Sequence, residues 1–316
     1  GVTALRRLVH SRDALLLFLA AIFAVVLAGW ELSVPLDDPL ANIVSNAGML
    51  VPGAVALWLA WRTARERHLS AELGRAWLWL AWSLTVFWLG DLAYFLLKVA
   101  HEGGLIGASP ADLLYLASYP LALAGILRLR GWSSQMDGRA AFWLDAAMMA
   151  LGAGLVAWHV FVSPTLADPS RAAEGLAAVA YVVFDIVLLL ALAITGLRPE
   201  RGRAARNVVL LLGLGLAIRL AANGLYWYDI LLGPRGISGT IAAVLYHFAW
   251  LALGLTALVQ RAQVPSAAAA VPDEPGAASV LPTLTAALGY LVLGGIVLRD
   301  LSLDLGILVV GGVGLT

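Results

Sequence analysis

Acidic, basic and phenolic side chains recur inside long apolar segments of this 316-residue chain. The clearest examples are Asp91, Asp185 and Arg219, which lie well inside runs that are otherwise hydrophobic. Ionisable groups in such surroundings normally pair with one another or face a water-filled cavity, so they mark sites for ions, protons or polar ligands. We therefore predict that Arg219 pairs with Asp185 or Asp91.

Helical spacing places further polar groups beside these three, because residues three, four or seven apart share one face of a helix. Four segments each carry such a polar and aromatic face, and we predict that the faces line one cavity for a small molecule or a lipid. The alternative is that these groups only join helices through hydrogen bonds, at roughly 0.6 kcal/mol each. The predicted ligand-binding residues are Asp91, Tyr94, Asp112, Tyr115, Tyr119, Tyr181, Asp185, Arg219, Asn223 and Tyr226.

The sequence contains no motif that supports catalysis. It has no phosphate-binding GxxxxGK[ST], no HExxH and no GxGxxG motif. GISG at Gly236–Gly239 matches the GxSG of intramembrane serine proteases, but His247 would lie roughly 13 Å further along the same helix, on its opposite face. The chain has no cysteine and five scattered histidines, so we predict no metal site. We also predict no catalytic residue, and the sequence does not identify a cofactor.

The elements that position these residues must be membrane helices. Hydrophobic residues make up 61% of the chain and charged residues 13%, and the mean hydropathy is +0.89. These values exclude a soluble globular domain and a disordered chain. Because a span needs roughly 20 apolar residues, we predict an all-α integral membrane protein of about ten transmembrane helices. The predicted spans are 14–32, 41–61, 75–99, 110–130, 140–162, 175–197, 206–232, 237–261, 281–298 and 301–316.

The distribution of basic residues predicts the orientation of these helices. Fifteen arginines fall in the connections on one side, and only four basic residues fall in the connections on the other. Since cytoplasmic loops carry the excess of Arg and Lys, we predict that both termini are cytoplasmic. The preference for Arg over Lys suggests a bacterial inner membrane, and 20 basic residues balanced by 20 acidic ones argue against a nucleic-acid partner.

Two stretches are similar at an offset of about 132 residues. LGDLAY contains Asp91 and Tyr94, and AANGLY contains Asn223 and Tyr226. The offset skips four spans, so the two stretches have the same orientation, and we predict a parallel 4+4 helix repeat. Chance similarity between leucine-rich helices is the alternative. The predicted divisions are an eight-helix body at 1–262 with repeats at 14–130 and 140–261, a flexible cytoplasmic linker at 263–280, and a C-terminal helix pair at 281–316 whose last helix we expect to be cut short.

One segment has a resemblance that suggests a function. PADLLYLASYPLALAGILRLR (Pro110–Arg130), preceded by WLGDLAYFLL (Trp88–Leu97), resembles the multi-span N-terminal module of bacterial signalling proteins. In that group the module precedes a cytoplasmic GGDEF (diguanylate cyclase), GGDEF–EAL or histidine kinase domain. LPTLTAALGYLVLGGIVLRD (Leu281–Asp300) resembles the last spans before such a domain.

The resemblance implies a sensory or anchoring region in the lipid bilayer that works as a homodimer. It also implies that any enzymatic activity belongs to an output domain outside these 316 residues. The alternative is a transporter or channel that uses Asp91, Asp185 and Arg219 along its substrate or proton path.

Overall fold

The structure is a computed structural model that describes residues 11–34, 38–102, 107–129, 158, 171–196, 203–231 and 237–263. Within these ranges the chain forms seven α-helices, each long and apolar enough to cross a membrane, and no strand. The prediction of an all-helical membrane protein is thereby confirmed for this part of the chain. The helices are α1 (Arg12–Glu31), α2 (Pro39–Ala64), α3 (Ala71–Ala100), α4 (Ala111–Leu129), α5 (Ala172–Gly196), α6 (Arg203–Leu231) and α7 (Ile237–Ala262).

The seven helices coincide with seven of the ten predicted spans. The other three spans, at 140–162, 281–298 and 301–316, lie outside the described residues. Nearly all of the linker at 263–280 lies outside them too. The total of about ten spans therefore stays a prediction.

Polar residues cap the first three helices where the apolar segments begin. The side chain of Ser11 accepts a hydrogen bond from the backbone N–H of Ala14 at the start of α1. Asp38 does the same at the start of α2, where Pro39 occupies the first turn, and Ser70 caps α3. These side chains satisfy N–H groups that have no partner within the helix, so each cap fixes where its helix begins.

Six of the helices contact one another in a cyclic order. Helix α2 packs against α3, α3 against α4, α4 against α5, α5 against α6, α6 against α7, and α7 against α2. Helix α1 lies outside this ring, against α2 and α7. Small residues permit the close approaches, because a Cβ atom at Gly125 would lie 2.7 Å from Leu80 and one at Gly254 would lie 3.3 Å from the backbone of Ala56.

Apolar side chains fill one end of the ring. They come from the ends of α2, α4 and α7, the beginnings of α3 and α6, and the middle of α5. The outer faces are also apolar, as on α1, where Phe18 and Val26 are more than half exposed, as expected for helices that contact lipid. The buried residues at the filled end include Leu59, Trp77, Leu80, Ile126, Leu188, Leu212 and Ala257.

Candidate functional site

The other end of the ring contains a partly open cavity of about 610 Å³. All seven helices contribute to its lining: α1, α3 and α6 with their last turns, α2, α4 and α7 with their first turns, and α5 with Tyr181. This volume falls in the range of pockets that bind small molecules, roughly 300–1,000 Å³. We call this end of the ring the cavity end.

Seven of the ten predicted ligand-binding residues line this cavity, and three lie beneath it. Tyr119, Asp185 and Arg219 each follow or precede a lining residue by four positions on the same helix, away from the opening. Four residues correspond to about 6 Å along a helix, so these three side chains form a layer one turn deeper. The predicted residues that line the cavity are Asp91, Tyr94, Asp112, Tyr115, Tyr181, Asn223 and Tyr226.

Asp91 joins three helices at the base of the cavity. The hydroxyl of Tyr115 on α4 donates to Asp91 Oδ1 at 2.9 Å, and the indole N–H of Trp250 on α7 donates to Asp91 Oδ2 at 3.1 Å. Asp91 is 3% exposed, and each of its carboxylate oxygens accepts a hydrogen bond. The buried carboxylate therefore fixes α3, α4 and α7 relative to one another.

Asp185 and Asn223 form a second network next to the first. The hydroxyl of Tyr119 donates to Asp185 Oδ1 at 2.9 Å, and the side-chain amide of Asn223 donates to Asp185 Oδ2. The hydroxyl of Tyr246 donates to Asn223 Oδ1 at 2.6 Å. This network links α4, α5, α6 and α7, so that hydrogen bonds connect five of the six ring helices at this level when both networks are counted.

Arg219 lies under the centre of the cavity, buried to 5% exposure. Its Nε atom is 3.7 Å from Asp185 Oδ1, which is one of the two pairings that the sequence predicts. Its guanidinium carbon is 4.0 Å from the centre of the Phe87 ring and 4.6 Å from that of Tyr119. The Arg219 charge is therefore held by a carboxylate and two aromatic rings, and it forms part of the cavity floor.

Sequence reasoning missed a buried cluster at the end of α1. The hydroxyl of Ser45 donates to Glu31 Oε1, and His247 Nε2 lies 2.9 Å from the same oxygen. Glu31 and His247 are fully buried, and Glu31 Oε2 and His247 Nδ1 have no hydrogen-bond partner within the described part of the chain. His247 falls inside an apolar segment, and Glu31 falls at the end of one. At the end of a span an acidic residue is expected to contact interfacial water, so the sequence did not mark Glu31 as buried.

The opposite end of the ring contains an ion-pair network, and we call it the ion-pair end. Asp13 on α1 binds Arg62 on α2 at 2.7 Å and also binds Arg261 on α7. Arg261 Nε in turn donates to Glu66 Oε2 at 3.1 Å. Burial alone would raise the pKa of Glu66, but the hydrogen bond and charge of Arg261, together with His68, lower that pKa below its usual value.

The cavity end is lined by hydrogen-bonding and aromatic side chains. Among the residues that the structure describes, no group of three or more His, Cys, Asp or Glu side chains could hold a metal ion. The central carboxylates of Asp91 and Asp185 accept hydrogen bonds from phenol, indole and amide donors. The cavity therefore presents aromatic faces and fixed polar groups to a ligand.

Comparison of the chain with protein-family models, with curated proteins and with solved structures found no match.

Proposed function

We propose that the seven helices form a membrane-embedded sensory domain, which binds a small ligand in the cavity and passes the resulting helix movement to the chain beyond residue 263. The observation that carries this proposal is a cavity that ends on a hydrogen-bonded floor. Its lining comes from every described helix, so a ligand that fits one arrangement of the helices better than another will shift the population between them.

The closed floor supports a receptor rather than a transport channel. Below the level of Asp91 and Asn223, the side chains of Phe87, Tyr119 and Arg219 meet at the middle of the ring. Beneath them lies a cavity of about 30 Å³, which is room for about one water molecule. Among the described helices, the floor therefore closes the way from the larger cavity to the opposite end of the ring.

Helix α7 provides the route for the signal. Its first half contributes Tyr246 and His247 to the cavity, and Arg261 near its end contacts Asp13 and Glu66. The chain then continues directly from Ala262 into the segment after α7. In this proposal the protein is a homodimer in a bacterial inner membrane. The movement of α7 reaches a cytoplasmic output domain of the GGDEF or histidine kinase type.

A transporter is the second candidate, because Asp91, Asp185 and Arg219 are charged groups buried within spans. In a transporter the floor must open during each cycle, whereas in a sensor it stays closed to the far side. Accessibility of the floor from each side of the membrane therefore separates the two functions.

These 316 residues contain no cysteine, so in this chain a single introduced thiol is the only one that can react. Ala243→Cys reports on the cavity lining, Ala122→Cys on the packed region beneath the floor, and Ala71→Cys on the exposed start of α3 at the ion-pair end. Each variant is treated with a membrane-impermeant maleimide, once in intact cells and once in inverted vesicles.

For a sensor we expect Ala243→Cys to react only from outside the cell, Ala71→Cys only from the cytoplasmic side, and Ala122→Cys from neither side. Reaction of Ala122→Cys from the cytoplasmic side would instead indicate transport. A thiol at position 243 that reacts from neither side would contradict a ligand-binding cavity altogether.

A further inference from the structure

We propose that the ligand of this cavity is a small organic cation with a protonated amine, held by Glu31 and by the aromatic rings of the lining. This inference rests on the proposed ligand-binding function and specifies the chemical class of the ligand. Three observations support it: the charges of the lining, the unpartnered oxygen of Glu31, and the arrangement of the rings.

The charged groups that line the cavity are mostly acidic. The described lining contains four carboxylates against one ammonium group and one imidazole. Buried charges are stable only when they are compensated, so a cavity with an excess of carboxylates favours a positively charged occupant. The carboxylates are those of Glu31, Asp91, Asp112 and Asp229, and the basic groups are Lys98 and His247.

Glu31 has the free acceptor that an amine requires. Its Oε1 accepts from both Ser45 and His247, whereas its Oε2 has no partner among the residues that the structure describes, although the side chain is fully buried. Leaving a buried carboxylate oxygen without a donor is costly, and an N–H donor from a ligand removes that cost. Asp91 and Asp112, by contrast, accept hydrogen bonds on both oxygens. The donors to Asp112 are the Tyr181 hydroxyl and the backbone N–H of Ser109.

The lining contains aromatic rings from several of the helices, which attract cations to their faces. Phe87, Tyr115, Tyr226, Trp227 and Tyr246 all contribute to the cavity, and cations are attracted to aromatic faces within roughly 6 Å of the ring centre. The lining already contains one such contact, because the Lys98 ammonium lies 5.3 Å from the centre of the Tyr94 ring.

An anionic ligand fits the same surface poorly. Arg219 has N–H groups without a partner among the described residues, but it lies within the floor, stacked between the rings of Phe87 and Tyr119. An anion in the cavity would reach the guanidinium only if these rings moved, and it would meet the carboxylates first. The geometry therefore favours a cation.

The test uses three probes with one carbon skeleton: phenethylammonium, 2-phenylethanol and phenylacetate. Each is titrated into the purified full chain in lipid nanodiscs by calorimetry, and each is tested for protection of Ala243→Cys against the maleimide. We expect phenethylammonium to bind and protect, with the alcohol weaker and the acid weakest. Because a hydrogen bond between charged groups is lost, Glu31→Gln is expected to weaken phenethylammonium about ten-fold or more.

Glu66→Gln is the matched control, since it removes a carboxylate at the ion-pair end and is expected to leave the affinity unchanged. If Glu31→Gln does not fold, Asp112→Asn removes another cavity carboxylate and is expected to weaken the same probe.

Equal or tighter binding of the alcohol or the acid, or an affinity that neither Glu31→Gln nor Asp112→Asn changes, would overturn the inference of a cation. Failure of all three probes to protect Ala243→Cys would overturn it too. None of these outcomes affects the proposed sensory function, which is judged by the side from which positions 243 and 122 react.

Discussion

The two halves of the ring, α2–α4 and α5–α7, have the same helix contacts but different polar side chains. Helix α3 packs between α2 and α4 just as α6 packs between α5 and α7, and the halves meet through α4 with α5 and through α7 with α2. At the offset of 132 residues, Tyr94 and Tyr226 face each other across the ring, with their hydroxyls 3.0 Å apart. The parallel repeat itself stays a prediction, because its span at 140–162 lies outside the described residues.

The same offset identifies where the halves differ. Phe87 in the first half corresponds to Arg219 in the second, and the guanidinium of one lies over the ring of the other. Gly53 corresponds to Asp185, and a Cβ atom at Gly53 would lie 2.7 Å from Trp88 and 3.2 Å from Trp250. The first half therefore fills this layer with aromatic rings, and the second half fills it with an ion pair.

This difference shows that the same arrangement of helices can be filled at this depth either by aromatic rings or by an ion pair. Gly53 in the first half makes room for Trp88 of the same half and for Trp250 of the second half. The ion pair in the second half needs partners on neighbouring helices, which Tyr119 and Asn223 provide for Asp185. The halves should therefore respond differently to substitution at equivalent positions.

The largest expected difference is between Arg219→Met and Phe87→Leu. Removing Arg219 leaves Asp185 as an uncompensated buried charge, so the free energy of unfolding should fall by about 3–5 kcal/mol. Phe87→Leu keeps an apolar side chain and should cost about 1 kcal/mol. Unfolding in mixed SDS micelles measures both, and adding Asp185→Asn to Arg219→Met should recover part of the loss. Equal losses for the two single variants would show that the halves are energetically alike.

A smaller difference is expected between Gly53→Ala and Gly224→Ala. The new methyl group at position 53 would collide with Trp88 and Trp250, so we expect a loss of about 1–3 kcal/mol in the free energy of unfolding. At position 224 no atom lies within 4 Å of the added Cβ, and alanine should stabilise the helix by up to about 1 kcal/mol. Opposite signs in the same unfolding assay would support the packing argument, and a stabilised Gly53→Ala would refute it.

The smallest effects are expected at the pair that the halves share. Tyr94→Phe and Tyr226→Phe each remove the same hydroxyl contact, so each should cost about 0.6 kcal/mol. The double variant should cost no more than either single one if the lost energy is that of this contact alone. A double-mutant cycle from unfolding free energies measures this coupling. Fully additive losses would mean that the hydroxyls contribute separately, through other partners.

Most of the fold within the described residues could be predicted from the sequence. Helix α4 occupies 111–129, where the predicted span is 110–130, because Pro, Asp and Arg residues bound a run of apolar residues. The contact between Arg219 and Asp185 was also predictable, because a buried guanidinium needs an acidic partner and few acids share its depth. These features depend on distances along one helix or on charge pairing.

Other features depend on which helices become neighbours, and no spacing rule reveals that. Glu31 and His247 are separated by 216 residues and meet because α1 packs outside the ring against α7. The depth of the cavity could not be predicted from the sequence either. Tyr115 and Tyr119 share one face of α4, but only Tyr115 lines the cavity. Phe87 and Arg219, from other helices, close the floor below it.

Helix α1 is attached to α7 at both ends, and this attachment has a mechanical consequence. At the cavity end Glu31 binds His247, and at the ion-pair end Asp13 binds Arg261. The two attachments are 18 residues apart on α1, or about 27 Å along its axis. A helix held at one point can pivot, whereas a helix held at two distant points moves together with its partner. Ser45 and Arg62 join α1 to α2 at the same two points, so we expect α1, α2 and α7 to move together as one unit when the cavity end is displaced.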